Sequence, residues 1–261
     1  MATPELIRLE GQTPWFAPWW PWMAPALAHW QRDGSVAAAL NSLSPQAPVQ
    51  FVPQADLPSG QAYEDFIYQH RRVPTRDNLH DFFNGCCWHR FPHAKLRLNH
   101  LQGEEIQRAG VQSTRGPVRD ALTLFDENVA LLQAPDALWQ ALEVRDWHCL
   151  FVTLRSHWQD VRWVLFGHAL LEKLVQPYKA ITAHVYRIAP EVAPGDQALD
   201  TWLADTLRPA HLATKPYLPL PVMGVPGWSA ANEDPAYYAD REVFRPRRSS
   251  GLFRTSIRGK S

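Results

Sequence analysis

The chain has 261 residues, 46% of them hydrophobic and 20% charged, and its formal net charge is zero. That is enough apolar material for a sizeable core in one large domain or two small ones. Zero net charge excludes a global electrostatic pull toward nucleic acid or an anionic membrane, leaving only local patches.

At the N-terminus no basic segment precedes a continuous apolar run, so no signal peptide is expected. No stretch approaches the ~20 apolar residues of a membrane helix. The three cysteines, Cys86, Cys87 and Cys149, contain no CxxC spacing. They argue against a cysteine zinc site and fit a reducing compartment, and a soluble cytoplasmic protein is expected. Trp15, Trp19, Trp20, Trp22 and Trp30 crowd a proline-rich segment, which reads as an irregular apolar strap, residues 1–30, packed on the main body. Its prolines delay regular helix until about Ala24. Helices are expected at 24–31 and 36–43, a loop with one short strand at 44–60, and a short helix at 62–69.

The stretch TRDNLHDFFNGCCWHRFPHAKLRLNHLQGEEIQR, residues 75–108, mixes apolar bulk with chemically capable side chains. Thr75 or Asp77 can cap a helix running to about Phe91. Leu79, Phe82, Phe83, Cys86 and Cys87 recur at helical spacing as its core face, with Asp81, Asn84 and Trp88 beside them. Pro92 ends it. A second helix follows at 93–108, with Lys95, Asn99 and Gln102 on one face. Asn84, Lys95 and Asn99 either tie the two helices together or line a ligand site. Adjacent Cys86 and Cys87 read as core thiols. His80, His89, His93 and His100 lack zinc-motif spacing and are expected on helix surfaces.

Pro117 suits the first turn of a helix through Val118, Ala121, Leu122 and Phe125, with a hairpin of ALTLF and VALLQ as the competing reading. A helix at 135–145 has Leu138, Trp139 and Leu142 inward. CLFVTL, residues 149–154, is a strand or the start of a helix. Residues 161–175, VRWVLFGHALLEKLV, are apolar nearly all round and read as one buried helix. Residues 181–188 alternate and are β-branched, a strand. A helix is expected at 199–207. From Lys215 the chain is too proline-rich for regular structure and should wrap the body as an ordered aromatic loop. The end, 249–261, is basic and expected to be disordered. The expected fold is α+β, predominantly helical, a single domain over residues 1–248 with a small sheet.

His168 and Glu172 stand four apart on one helical face, so they form either a buried hydrogen-bonded network or part of a site for a divalent metal. His184 on the next strand completes a candidate ligand set of His168, Glu172 and His184. Asp126 or Asp120 could add a carboxylate. Asp126, Lys179 and His184 are the candidate catalytic groups, Lys179 as base or nucleophile. Arg119 and Asp120, with Asn84, Lys95 and Asn99, are candidate ligand-binding residues. No GxSxG, Walker-type loop or GxGxxG is present, so serine hydrolase, P-loop and dinucleotide-binding readings gain no support. The leading expectation is a metal-dependent hydrolase. The alternative is a non-catalytic binding or scaffold protein in which the same residues form a structural network. No partner is indicated, and the basic tail is the sole nucleic-acid signal.

Several blocks together, NLHDFFNGCCWHRFPHAKLRLN, RGPVRDALTLFDEN, FGHALLEKL, PYKAITAH and PLPVMGVPGWSAANEDPAYY, resemble a proteobacterial family catalogued as a domain of unknown function. The resemblance spans about 74–247. That family often has an apolar pair where Cys86 and Cys87 stand, and Gly where this chain has Val129. The first departure speaks against a catalytic thiol and the second against a tight turn at Asn128. The resemblance implies a bacterial domain and carries over no catalytic residue.

Overall fold

The structure, a computed structural model, describes residues 9–44, 47–110 and 116–247. The expected basic tail at 249–261 and the first residues of the expected strap lie outside the described residues. The fold is α+β and predominantly helical.

Helix α1, Trp20–Asp33, begins earlier than the prolines suggest. Pro21 occupies the first turn, where no N–H is needed, and Pro25 stands on the exposed side. Helix α2, Val36–Asn41, is capped by Ser35, whose hydroxyl accepts the Ala38 N–H. Strand β1, Gln50–Pro53, and helix α3, Tyr63–His70, lead to strand β2, Arg72–Thr75, which pairs parallel with β1. Helix α4, Leu79–Arg90, is capped by Asn78, not by Thr75 or Asp77. Thr75 is spent in β2, and the Asp77 carboxylate accepts the Val36 N–H at the start of α2.

Helix α5, Pro92–Ala109, follows directly, then α6, Pro117–Asn128, and strand β3, Val129–Gln133. The helix expected through Phe125 forms and continues to Asn128, where a turn was expected, while the competing hairpin does not form: ALTLF is helical and VALLQ is a strand that pairs with β4 and β5 instead. Helix α7, Asp136–Val144, precedes a π-type turn at Cys149–Thr153. The expected long helix at 161–175 is not formed. Strand β4, Arg162–Leu165, is followed by the short helix α8, His168–Lys173. An all-apolar run fits a buried strand as well as a buried helix, and pairing with β3 decides it. Strand β5, Thr182–Arg187, helix α9, Asp196–Thr206, helix α10, Pro209–Ala213, and strand β6, Leu218–Pro221, complete the order.

The larger sheet runs β4-β3-β5-β6, with β3 and β5 parallel and the outer pairs antiparallel. Strand β6 carries Pro219 and Pro221, which an edge strand tolerates, so the proline-rich wrap contains a strand after all. Beyond it the wrap is held by buried polar contacts. The Asn232 amide donates to the Met223 and Val225 carbonyls, and Tyr238 Oη donates to the Gly224 carbonyl. The apolar core is one contiguous cluster reaching from Leu9 through Phe16, Phe83, Phe125 and Leu131 to Phe244.

Pro92 leaves α5 without a side-chain cap of its own. Asp200 from α9 supplies one, its carboxylate accepting the His93 and Ala94 N–H groups at 3.0 and 2.8 Å. Asp200→Ala strands both donors in a buried seam and should lower stability by roughly 1–3 kcal/mol in urea denaturation. An unchanged denaturation midpoint would refute this capping role.

Candidate functional site

Helices α3, α4, α5, α6 and α8 enclose a cleft of about 480 Å³. Its wall carries Tyr63, Glu64, Arg76, His80, Asp81, Asn84, Gln102, Arg119, Thr123, Asp126, Glu127 and His168. The helical periods explain much of this set. His80, Asp81 and Asn84 share one side of α4, and Arg119, Thr123, Asp126 and Glu127 recur along α6.

The wall is built on Asp126. Its carboxylate meets Lys95 Nζ at 2.5 Å, and the two side chains are 15% and 4% exposed. Lys95 Nζ also donates to Asn84 Oδ1 at 2.8 Å, and Asn84 Nδ2 donates to Tyr63 Oη at 3.2 Å. Burial alone would raise the Asp126 carboxyl. The Lys95 charge, His168 and the hydrogen bond from Lys95 outweigh it, and the group sits below the usual carboxylate range. Burial pushes the Tyr63 phenol well above its ordinary value.

The backbone of Asp126 does separate work. It lies in the last turn of α6, where carbonyls lack helical partners. His168 Nδ1 donates to that carbonyl at 2.9 Å. Across the wall, His80 Nδ1 is 2.8 Å from Glu172 Oε2. The two Nε2 atoms then face each other at 3.2 Å. A carbonyl only accepts, so His168 is protonated on Nδ1, and a carboxylate fixes the same choice on His80. Neutral rings in these tautomers would oppose two lone pairs. A positive species is therefore required at the Nε2 pair. A proton on His80 meets the requirement. The Glu172 hydrogen bond raises the His80 pKa, while burial drives His168 down to about 4. Glu172 is correspondingly lowered, chiefly by its bond to His80.

Of the residues expected to form a site, Asn84, Arg119, Asp126 and His168 line this cleft, with Lys95 directly behind them. Asn84 and Lys95 also tie α4 to α5, as one of the two readings of that pair expected. Asn99 is deeper, with Nδ2 donating to the Glu64 carbonyl and carboxylate and Oδ1 unpartnered. Asp120 is exposed and off the wall, one helical residue out of phase with Arg119. His184 does not join His168 and Glu172. It pairs through Nδ1 with Asn128 Nδ2 and stands edge-on to Tyr217, because its strand register points it to the far side of the α6–β3 junction. Lys179 is bound to Asp240 at 2.9 Å and covered by Tyr237, within the C-terminal wrap. The ligand set of His168, Glu172 and His184 is thus not assembled. Glu172 reaches His168 only through His80. Among the described residues no group of three or more His, Cys, Asp or Glu side chains is arranged to hold a metal ion.

Sequence reasoning missed His80, which it placed on a helix surface, and Arg76, whose Nε and Nη2 both donate to the Asp81 carboxylate. The available signal was spacing: His80 precedes Asn84 by one turn, as His168 precedes Glu172.

A model of proteins of unknown function, DUF3025, matches residues 49–248. The chain belongs to the DUF3025 family. No curated protein and no solved structure gives a significant match. In this member of the DUF3025 family the matched region includes every residue of the cleft wall named above.

Gly167 makes the close approach possible. A Cβ there would stand 2.3 Å from the Glu127 carbonyl oxygen and 2.5 Å from the Asn128 nitrogen. Both are backbone and cannot swing aside. Gly167→Ala should cost roughly 1–3 kcal/mol and push α8 off α6. Chemical denaturation, with the His168 imidazole signals followed by NMR, checks both effects; native His168 shifts in the variant would contradict it.

Lys95→Met leaves a buried carboxylate unpaired and should cost roughly 3–5 kcal/mol near neutral pH. In the wild type the Asp126 contribution is present above the unfolded carboxyl pKa and is lost as pH falls through the lower folded value. In the variant burial acts without a counter-charge, so acid relieves the defect. Urea denaturation at neutral pH and near pH ~4 should show the gap narrowing on acidification. A gap independent of pH would exclude Asp126 as its source.

Proposed function

We propose that this protein is an enzyme of hydrolytic type, and that the cleft is its active site. The observation carrying the reading is the Nε2–Nε2 contact of His80 and His168 on the wall of a polar cavity. Each ring is held from behind by an oxygen acceptor. Rings oriented in this way are prepared to act on something in the cleft. The lining is rich in hydrogen-bonding groups, so the substrate is a polar small molecule, with Arg119 available for an anionic group. The Arg119 Nε is buried without a partner.

In the proposed reaction a water in the cleft attacks the electrophilic centre of the substrate, its proton passes to the Glu127 carboxylate on the cleft wall, and the proton held by the His80–His168 pair passes to the leaving group as its bond breaks. Asp126 and Glu172 are positioning residues for the two rings, which revises the direct roles expected for them. His184 and Lys179 take no part. The scaffold alternative retains one supporting observation, the dense satisfaction of Lys95 and Asp126. It gives no reason for His80 to remain one-third exposed beside buried His168. Free Cys86, Cys87 and Cys149 support a cytoplasmic setting, and the contiguous core supports reading the described chain as one domain.

The test works with an unidentified substrate. Wild-type protein is incubated with a bacterial metabolite extract, with added divalent ions, and depletion is followed by mass spectrometry. At least one polar metabolite should be consumed, and His80→Ala should slow that consumption by about 10²–10⁴-fold. An extract left unchanged by the wild type, or equal consumption by the variant, would overturn the proposal.

A further inference from the structure

Two polar side chains of the cleft, Arg119 and Gln102, are left with nothing to bind. We infer that they form a subsite for a carboxylate, so that the substrate is a small molecule carrying its carboxylate about two helical turns from the bond that reacts. This deepens the proposed function and rests on that reading of the cleft.

The charges of the wall single out Arg119. Arg76 gives its Nε and Nη2 to Asp81, and Lys95 gives its ammonium to Asp126 and Asn84. Glu64 accepts from Asn99. Arg119 lines the same cleft, and among the described residues its guanidinium has no hydrogen bond and no ion pair. Its Nε is also buried. A buried donor without an acceptor carries a cost that an incoming oxyanion removes. Gln102 repeats the pattern from α5. It is 5% exposed, it lines the cleft, and its amide has no hydrogen bond among the described residues. A guanidinium fork matches the two oxygens of a carboxylate, and an amide NH₂ donates to either of them. Charge favours a carboxylate over a phosphate. One uncommitted guanidinium balances a monoanion, whereas a dianion would also face Glu64 and Glu127 on the same wall.

Helix α6 sets the spacing. Arg119 stands in its first turn and Asp126 in its last. Seven residues bring the two to one face, about 10 Å apart along the axis. His168 is anchored on the Asp126 carbonyl, and Glu127, the acceptor of the water's proton, comes next in the chain. The reacting centre is therefore at that end of the cleft and the carboxylate at the other. A cleft of about 480 Å³ accommodates a molecule of that length. Arg119 and Gln102 set specificity, while the histidine pair and Glu127 carry the proton transfers.

The experiment uses the full chain and two matched probes, N-acetyl-β-alanine and its methyl ester, which differ in the carboxylate alone. Binding is titrated by NMR, and circular dichroism checks that each variant is folded. The acid should bind and the ester should bind at least roughly tenfold more weakly. Arg119→Met should weaken the acid by roughly 10–100-fold and leave the ester unchanged. Arg119→Lys, which keeps the charge without the fork, should recover part of the loss. Gln102→Leu should weaken the acid by roughly 2–10-fold. Equal binding of acid and ester, no binding of either, or a folded Arg119→Met that binds the acid like the wild type overturns the inference. Inorganic phosphate that binds more tightly than the acid overturns the choice of carboxylate. The metabolite consumed in the extract should itself carry a carboxylate, and Arg119→Met should raise its KM more than it lowers kcat. If a neutral metabolite is consumed in a His80-dependent way and the acid does not bind, the subsite falls and the enzyme stands. If the acid binds through Arg119 but nothing is consumed, the subsite stands and the enzyme reading falls.

Discussion

The structure depends on a carboxylate buried at a helix–strand junction. Asp126 ends α6 just before the chain enters β3, and it answers to two neighbours at once. Its side chain is neutralised by Lys95 of α5, while its carbonyl is taken by His168 of α8. A buried ion pair of this kind contributes little net stability over an apolar packing, because both ions lose their water. What it does impose is geometry. Lys95 donates to Asn84 of α4 and to Asp126 of α6, so α4, α5 and α6 must meet in one register. The same aspartate then sets where α8 begins. One position therefore fixes three sides of the cleft.

Topology makes that convergence possible. Strands β3 and β5 are parallel, so the chain must cross over between them, and β4 and α8 lie in that crossing. Strand β4 returns antiparallel along β3, ending where β3 starts. The N–H groups of Phe166 and Gly167 both donate to the Val129 carbonyl, which turns the chain sharply at that point. Helix α8 therefore starts against the end of α6, with only a glycine between them. Backbone pairing alone is enough to deliver His168 to the orphan carbonyl of Asp126.

Much of this was legible in the sequence, and the parts that were not have identifiable causes. The α4–α5 pair could be read because its apolar period, Pro92 and the polar face of Asn84, Lys95 and Asn99 are all local signals. The strand at β5 could be read from its alternation. The segment from Val161 to Val175 could not, since uniform apolar character says only that a segment is buried. Its division into β4 and α8 depends on pairing with β3, a contact made in space. His184 illustrates the same limit. It is near His168 in sequence and in the right residue class, but the register that pairs Val129 with His184 directs its ring to Asn128 instead. His80 was passed over for the converse reason. Its partners are 88 and 92 residues away along the chain.

The charges of the cleft wall are paired at two points and arranged differently at a third. Arg76 neutralises Asp81, and Lys95 neutralises Asp126, so neither carboxylate requires anything from solvent. His80 and His168 are different. Their Nδ1 atoms are committed to fixed acceptors, and their Nε2 atoms are left facing one another at the edge of open space. A network built only for rigidity would place a donor opposite an acceptor, as Asn84 does for Lys95. Placing two potential acceptors together stores a demand for positive charge, which a proton on His80 meets. The burial gradient follows the same logic. His168, 6% exposed, is locked in place by α6, while His80, 33% exposed, stands at the solvent side of the pair.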